Sequence, residues 1–308
     1  MSTEASMIAD AVDRILADAA GAAGTDAAVW RQLAEAGVPR LLRPEAEGGA
    51  GECWRDAAEV LQVLGRHGSA LPLPDALLAH ALLSAAGIEA DARPIRLSVA
   101  GPDGTPDPLD ARAPAEAHTL VLSPWGATVD AEWQPAGGGA GTRFGLADGA
   151  GVRARLAFVA AAMLTGAMRA AIDAGIDYAG LRQAFGRPLG AFQAVQHPLA
   201  VAAEEVAASR AALDWAAARL EAGRGGVAPE VAKARAADAA GRVAAVVHQV
   251  HGAIGFTAEH ALHRSTRLLW LWRDRWGDEL YWQACLGARA LAAGPDGLFD
   301  LLEDPTGG

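Results

Sequence analysis

The sequence predicts a mainly α protein with three parts: an N-terminal helical domain over residues 1–87, a small β domain over 88–151 and a C-terminal four-helix bundle over 152–308. Three observations carry this reading. Ala-rich stretches with helical spacing of apolar residues fill both ends of the chain and break only where Gly and Pro cluster. Between Ile88 and Gly151 the character changes to Pro, Gly and short β-prone runs. Further on, Phe192, Leu199, Val206, Leu213 and Leu220 recur every seven residues, with Val195, Ala202, Ser209 and Ala216 between them, which is the pattern of a bundle seam.

The elements follow in order. From Ala5 to about Gly87 the pattern is helical, and breaks at Gly21 to Gly24, Arg43 to Gly51 and Leu71 to Pro74 divide it into three or four helices. The runs IRLSVAG, HTLVLSPW, ATVDAEWQ and TRFGLAD read as strands of a small antiparallel sheet. A long Ala-rich helix then ends at Leu181, where Gly186 and Pro188 interrupt the pattern, and a second begins near Phe192. Gly223 to Gly226 ends that helix. Pro229 opens the third at a first-turn position, where its missing N–H costs nothing, and His248 to Gly255 closes it. The abundant Ala allows close approach, so four long antiparallel helices would bury the seam as an up-down bundle. The last stretch, Arg267 to Trp282, holds Trp270, Trp272, Trp276 and Trp282, four of the nine tryptophans. Packing in a core or a subunit interface explains such a density; rings lining a substrate cavity are the alternative.

Composition limits the function. With 52% hydrophobic and 20% charged residues the chain is globular, and 308 residues suffice for about two domains on length alone. A net charge of −11 speaks against nucleic acid as a partner, since no cluster of Lys and Arg is present to neutralise phosphates. Lys233 is the only lysine, which leaves none for a phosphate-binding loop and disfavours Schiff-base chemistry. The N-terminus already carries acids and lacks the order of a secretory signal, so the chain reads as cytoplasmic. The longest uncharged apolar run, Leu156 to Met168, falls short of the roughly 20 residues that cross a bilayer and reads as a core helix. Cys53 and Cys285 form no CxxC pattern and read as two buried thiols in a reducing compartment. His248 and His251, and again His260 and His263, stand at i, i+3, but no carboxylate follows at zinc-protease spacing, so no metal site is assigned.

Two segments stand out from this background. Arg182 to His197 reads RQAFGRPLGAFQAVQH and presents a cation and a ring, Phe185, from a turn between two rigid helices; Gln249 to Phe256 reads QVHGAIGF and is followed by Thr257, Glu259 and His263. The first resembles the R-x-x-F-G turn, with its downstream Gln, of the acyl-CoA dehydrogenase family, matched at Arg182, Phe185, Gly186 and Gln193. The second resembles the family's Q-x-x-G-G-x-G-(F/Y)-x-x-E segment, with Ala253 in place of the second glycine. A weaker match lies at Pro44, Glu45, Gly48, Gly49 and Gly51, in the place of the family's N-terminal helix end and Gly-rich turn, although a glycine-rich helix stop alone explains those residues. The resemblance covers nearly the whole chain in the family's order: helical domain, β domain, bundle. It departs in the β domain, which is reduced to about half the family's span and lacks the Thr-Glu-Pro and Gly-Ser-Asp stretch that holds the flavin ring.

The resemblance implies FAD as cofactor and an acyl-CoA thioester as substrate. It also implies that Arg182, Phe185, Gln193, Gln249 and Gly252 serve a flavin held mainly by a neighbouring subunit. Their chemistry is suitable: a guanidinium for a pyrophosphate, a ring for a flat heterocycle, amides for polar edges and a glycine for close backbone approach. Arg182 can equally cap the preceding helix. Desaturation also needs a carboxylate base to remove the α proton, and here the chain is barren. Counted from QVHGAIGF, the family's Glu-Gly falls on Trp276 and Gly277, and the alternative base position before the flavin turn falls on Leu156. Asp278 and Glu279 are weak candidates that would need a shift of two or three residues in a turn. Three readings result. The leading one is a non-catalytic subunit of a hetero-oligomeric dehydrogenase for bulky CoA thioesters, completing the FAD pocket of a catalytic sister subunit. The others are a self-sufficient homo-oligomeric enzyme with a displaced base and a flavin-free scaffold of the same fold.

Overall fold

The computed structural model describes residues 3–22, 25–51, 53–105, 107, 116–257 and 260–303; Glu259, a position of the family match, lies outside them. Four helices come first: α1 (Thr3–Ala22), α2 (Asp26–Glu35), α3 (Trp54–His67) and α4 (Leu73–Ala85). The hydroxyl of Thr25 caps α2 by accepting from the Ala28 amide at 3.3 Å. A four-stranded sheet follows, in the order β1 (Ile95–Val99), β2 (His118–Ser123), β3 (Val129–Gln134), β4 (Thr142–Leu146). Strands lie where the four β-prone runs stand, and β1 to β3 alternate buried and half-buried residues as a one-sided sheet should. The antiparallel expectation is corrected at one pairing: β1 runs parallel to β2, with Leu97 beside Leu120, while β2–β3 and β3–β4 are antiparallel. Between β1 and β2 lie residues 100–117, long enough for the crossover that a parallel pair needs and far longer than a hairpin turn.

The C-terminal part is helical. Helix α5 (Gly149–Leu181) is followed by a two-residue ribbon, β5 (Gln183–Ala184) with β6 (Arg187–Pro188), and by α6 (Gln193–Glu221) and α7 (Ala228–His251). The seam residues Leu199, Ala202, Val206, Ser209, Leu213 and Ala216 are all buried. Helix α5 is central, packing on α3, α6, α7 and α8. It is long and apolar enough to cross a membrane, longer than the run Leu156 to Met168 alone suggests, yet 83% of its most apolar window is buried among the other helices. Where α3 crosses it the backbones nearly touch: a Cβ on Gly166 would lie 2.1 Å from the Gln62 carbonyl oxygen, and one on Gly65 would lie 2.4 Å from that of Met163.

The fourth long helix of the expected bundle is in fact two. Helix α8 (Leu262–Asp274) stops at Arg275, and α9 (Glu279–Glu303), itself interrupted at Gly294, starts after a sharp turn. In that turn Trp276 and Gly277 have φ of 58° and 95°. Both cysteines are half-buried, which corrects the reading of two buried thiols.

Candidate functional site

The two family-like segments come to one end of the bundle. Helices α5 and α7 run side by side, and Tyr178, one turn before Arg182, stacks on His251 at the end of α7, with ring centroids 4.5 Å apart. The turn after α5 is tied by backbone bonds from the Arg182 amide to the Tyr178 carbonyl, 2.8 Å, and from the Leu189 amide to the Arg182 carbonyl, 2.8 Å. Phe185 sits at its tip with φ 51° and is 96% exposed; Leu181 beside it is 81% exposed. A bulky residue in left-handed backbone, with its ring in solvent, is a costly arrangement that local packing does not explain. Arg182 and Gln193 are exposed too. The guanidinium held against a ring here is that of Arg187, 4.0 Å over Phe192, a contact the sequence reading did not anticipate.

Gln249 and Gly252 line a separate shallow hollow of about 420 Å³ with His248, Phe256 and Trp270. His248 stacks on Phe256 at 4.3 Å and meets the Thr266 hydroxyl at 3.2 Å; its Nδ1 and the Nε2 of His251 are buried with no protein partner. Burial lowers the pKa of both imidazoles. Arg182, Phe185 and Gln193 do not line this hollow. The five residues are thus brought to one end of the bundle but not into one pocket, and each stays open to a second molecule. The arrangement leaves an exposed cation, an exposed ring and an open hollow at one end of the bundle.

Trp276, the residue that the family count reaches, is enclosed. Trp276 is 4% exposed; its indole N–H donates to the Asp107 carboxylate at 3.1 Å, and its carbonyl accepts from the Trp282 indole at 3.2 Å. Beside it Arg275, 1% exposed, holds Asp75 at 2.8 Å and Asp107 at 2.9 Å, donates to the Leu97 carbonyl at 3.3 Å, and lies 4.1 Å over the Trp276 ring. Burial opposes the Arg275 charge, but the two carboxylates raise its pKa above the ordinary value; burial and the second carboxylate push Asp75 up. This clasp joins the start of α4, the β domain and the α8–α9 turn. Gly277 completes it, since a Cβ there would lie 2.7 Å from Tyr281 Cδ1.

The remaining candidates have other employment. Asp278 caps α9, its carboxylate accepting from the Tyr281 amide at 2.8 Å. Glu279 is ion-paired with Arg273, which holds its carboxyl below the usual range. Leu156 is fully buried in α5. Lys233 is also buried, and its ammonium donates to the last carbonyls of α8, Trp272 and Arg273, the latter at 2.8 Å. Sequence reasoning missed the clasp: an Asp in the first turn of α4 and another in a Pro-rich loop carry no pattern that pairs them with an Arg roughly 200 residues away.

Known proteins share this fold and part of this sequence. Residues 153–272 match the family described as "Acyl-CoA dehydrogenase, C-terminal domain". The chain is 33% identical over 258 residues to acyl-CoA dehydrogenase IpdE2 of Mycobacterium tuberculosis, covering 78% of this chain and 79% of that protein. Among solved structures it resembles a chain of the ChsE4-ChsE5 complex from Mycobacterium tuberculosis, with a TM-score of 0.77 and 20% identity, over 96% of this chain and 99% of that one. It also resembles a variant of the Tcur3481-Tcur3483 steroid ACAD, with a TM-score of 0.77 and 24% identity over 94% of this chain and 99% of that one. At these identities the structural likeness is one of fold.

Proposed function

This chain belongs to the acyl-CoA dehydrogenase family of oxidoreductases, and we propose that within it the chain is a helper subunit that completes the FAD pocket of a catalytic sister subunit. One observation carries the reading: Trp276, on which the family's base falls when counted from QVHGAIGF, is buried and hydrogen-bonded to Asp107, while Arg182, Phe185, Gln193 and Gln249 are exposed. Indole cannot abstract the α proton. Asp278 and Glu279, the candidate bases of the sequence, are committed to a helix cap and an ion pair. The reading takes further support from the fold's likeness to one member of a two-protein complex and to a steroid ACAD, which fits a bulky acyl-CoA substrate held by the sister subunit.

When bound, FAD would accept the hydride that leaves the β carbon of the thioester. This chain's part is to hold and orient. Arg182 would neutralise pyrophosphate charge across the interface, and Phe185 would cover a flat ring face. Gln193 and Gln249 would satisfy polar edges, and Gly252, with φ 63°, lets backbone approach closely. The Arg182→Ala variant tests the assignment. In the purified complex of this chain with its sister subunit, flavin retained per complex should fall while assembly by size-exclusion chromatography is unchanged. Unchanged flavin content would favour a scaffold role instead.

A further inference from the structure

A second cavity, of about 1000 Å³, opens between the start of α2, the α3–α4 corner and the outer face of α8. Its inner wall includes Arg275 and Asp75, whereas Trp276 and Asp107 do not line it, so it lies across the clasp from the closed base position. The floor is apolar, with Trp30, Leu71, Leu268 and Trp272, and the Trp30 indole N–H is already satisfied by the Ala92 carbonyl at 2.9 Å. Its size suits a ligand of two or three fused rings or a medium acyl chain.

The rim is charged and its pattern is selective. Arg264 and Arg267 stand one turn apart on α8, both exposed, and neither makes an ion pair with a described carboxylate. Six of the eleven other exposed arginines among the described residues do, among them Arg93, Arg143, Arg169 and Arg242. Residues at i, i+3 on a helix present their side chains side by side, so two guanidinia can grip one carboxylate. Asp26, Glu116 and Asp274 share the rim and repel a ligand of higher negative charge.

We infer that this cleft binds a monocarboxylate with a compact apolar body, its head between Arg264 and Arg267 and its rings or chain on the Trp30 and Trp272 floor. The inference does not depend on the flavin assignment, because no residue of the cleft other than Trp270 is shared with the hollow beside Gln249. Isothermal titration of the full chain with naphthylacetate tests it, with the neutral naphthylacetamide and coenzyme A as comparators. Naphthylacetate should bind saturably, one per chain. The double variant Arg264→Ala, Arg267→Ala should weaken it by roughly tenfold or more, the loss of a charge-assisted contact, and naphthylacetamide should bind more weakly by a similar factor. Ala70→Trp, which fills the cleft from an exposed lining position without altering charge, should abolish binding. Absence of saturable binding, equal affinity for acid and amide, insensitivity to these variants, or displacement of naphthylacetate by coenzyme A would overturn the inference. Flavin content of the same variants should be unchanged, which separates this test from that of Arg182.

Discussion

At the scale of single residues, the chain builds a clasp around a buried ring, Trp276. Trp276 could be singled out in the sequence, because the count from QVHGAIGF lands on it. Arg275, Asp75 and Asp107 could not, because ion pairing across the fold leaves no periodicity in a sequence. One guanidinium serves two buried carboxylates, so its removal takes an ion pair from each. The Arg275→Met variant should therefore lose about 3–5 kcal/mol of stability, as expected when one partner of a buried pair is taken away. Urea denaturation followed by tryptophan fluorescence measures this; a loss below about 1 kcal/mol, the worth of an exposed pair, would show that the clasp is not desolvated.

At the scale of elements, the helices and strands were legible because each has a local signal. The Gly and Pro breaks mark α5, α6 and α7, the seven-residue recurrence names the buried face of α6, and β-prone runs lie where β1 to β4 form. What was not legible depends on contacts made later in the chain. Strand β1 runs parallel to β2 because the intervening segment permits a crossover, and residue alternation is the same for either direction. The fourth bundle helix divides at Arg275 because the clasp and the left-handed turn at Trp276 and Gly277 outweigh helix propensity. Lys233 supports that division by donating to the last carbonyls of α8, as a cation at a helix C-terminus should. Burial lowers its pKa to about 7, against the pull of Asp274, Glu279 and Asp278. The sign follows: between about 7 and the ordinary 10.5 the unfolded chain binds the proton that the folded chain has released, so stability rises with pH across that window. Melting curves should show this rise in the native protein and a smaller one in Lys233→Met. An identical pH dependence in the two would mean that Lys233 stays charged when folded.

At the scale of the whole molecule, the proposed helper role rests on a contrast between inside and outside. Inside, Trp276 is buried and tied through Asp107 and Arg275 to all three parts of the chain. Outside, Leu181, Phe185 and Phe256 expose apolar surface at the bundle end that carries Arg182, Gln193, Gln249 and Gly252. Exposed apolar surface rimmed by polar groups marks an interaction surface, and the proposed contact with a flavin across a subunit interface accounts for these residues finding few partners within one chain. The reduced β domain points the same way, since the family's own stretch for the flavin ring is missing from it. The measurement that tests this account most directly is flavin per chain, by absorbance against protein mass, for the chain purified alone and for the complex co-expressed with its sister subunit. The account predicts a colourless protein alone and about one flavin per two chains in the complex, the stoichiometry of a site shared across an interface. One flavin per chain in a homo-oligomer of this chain alone would contradict it.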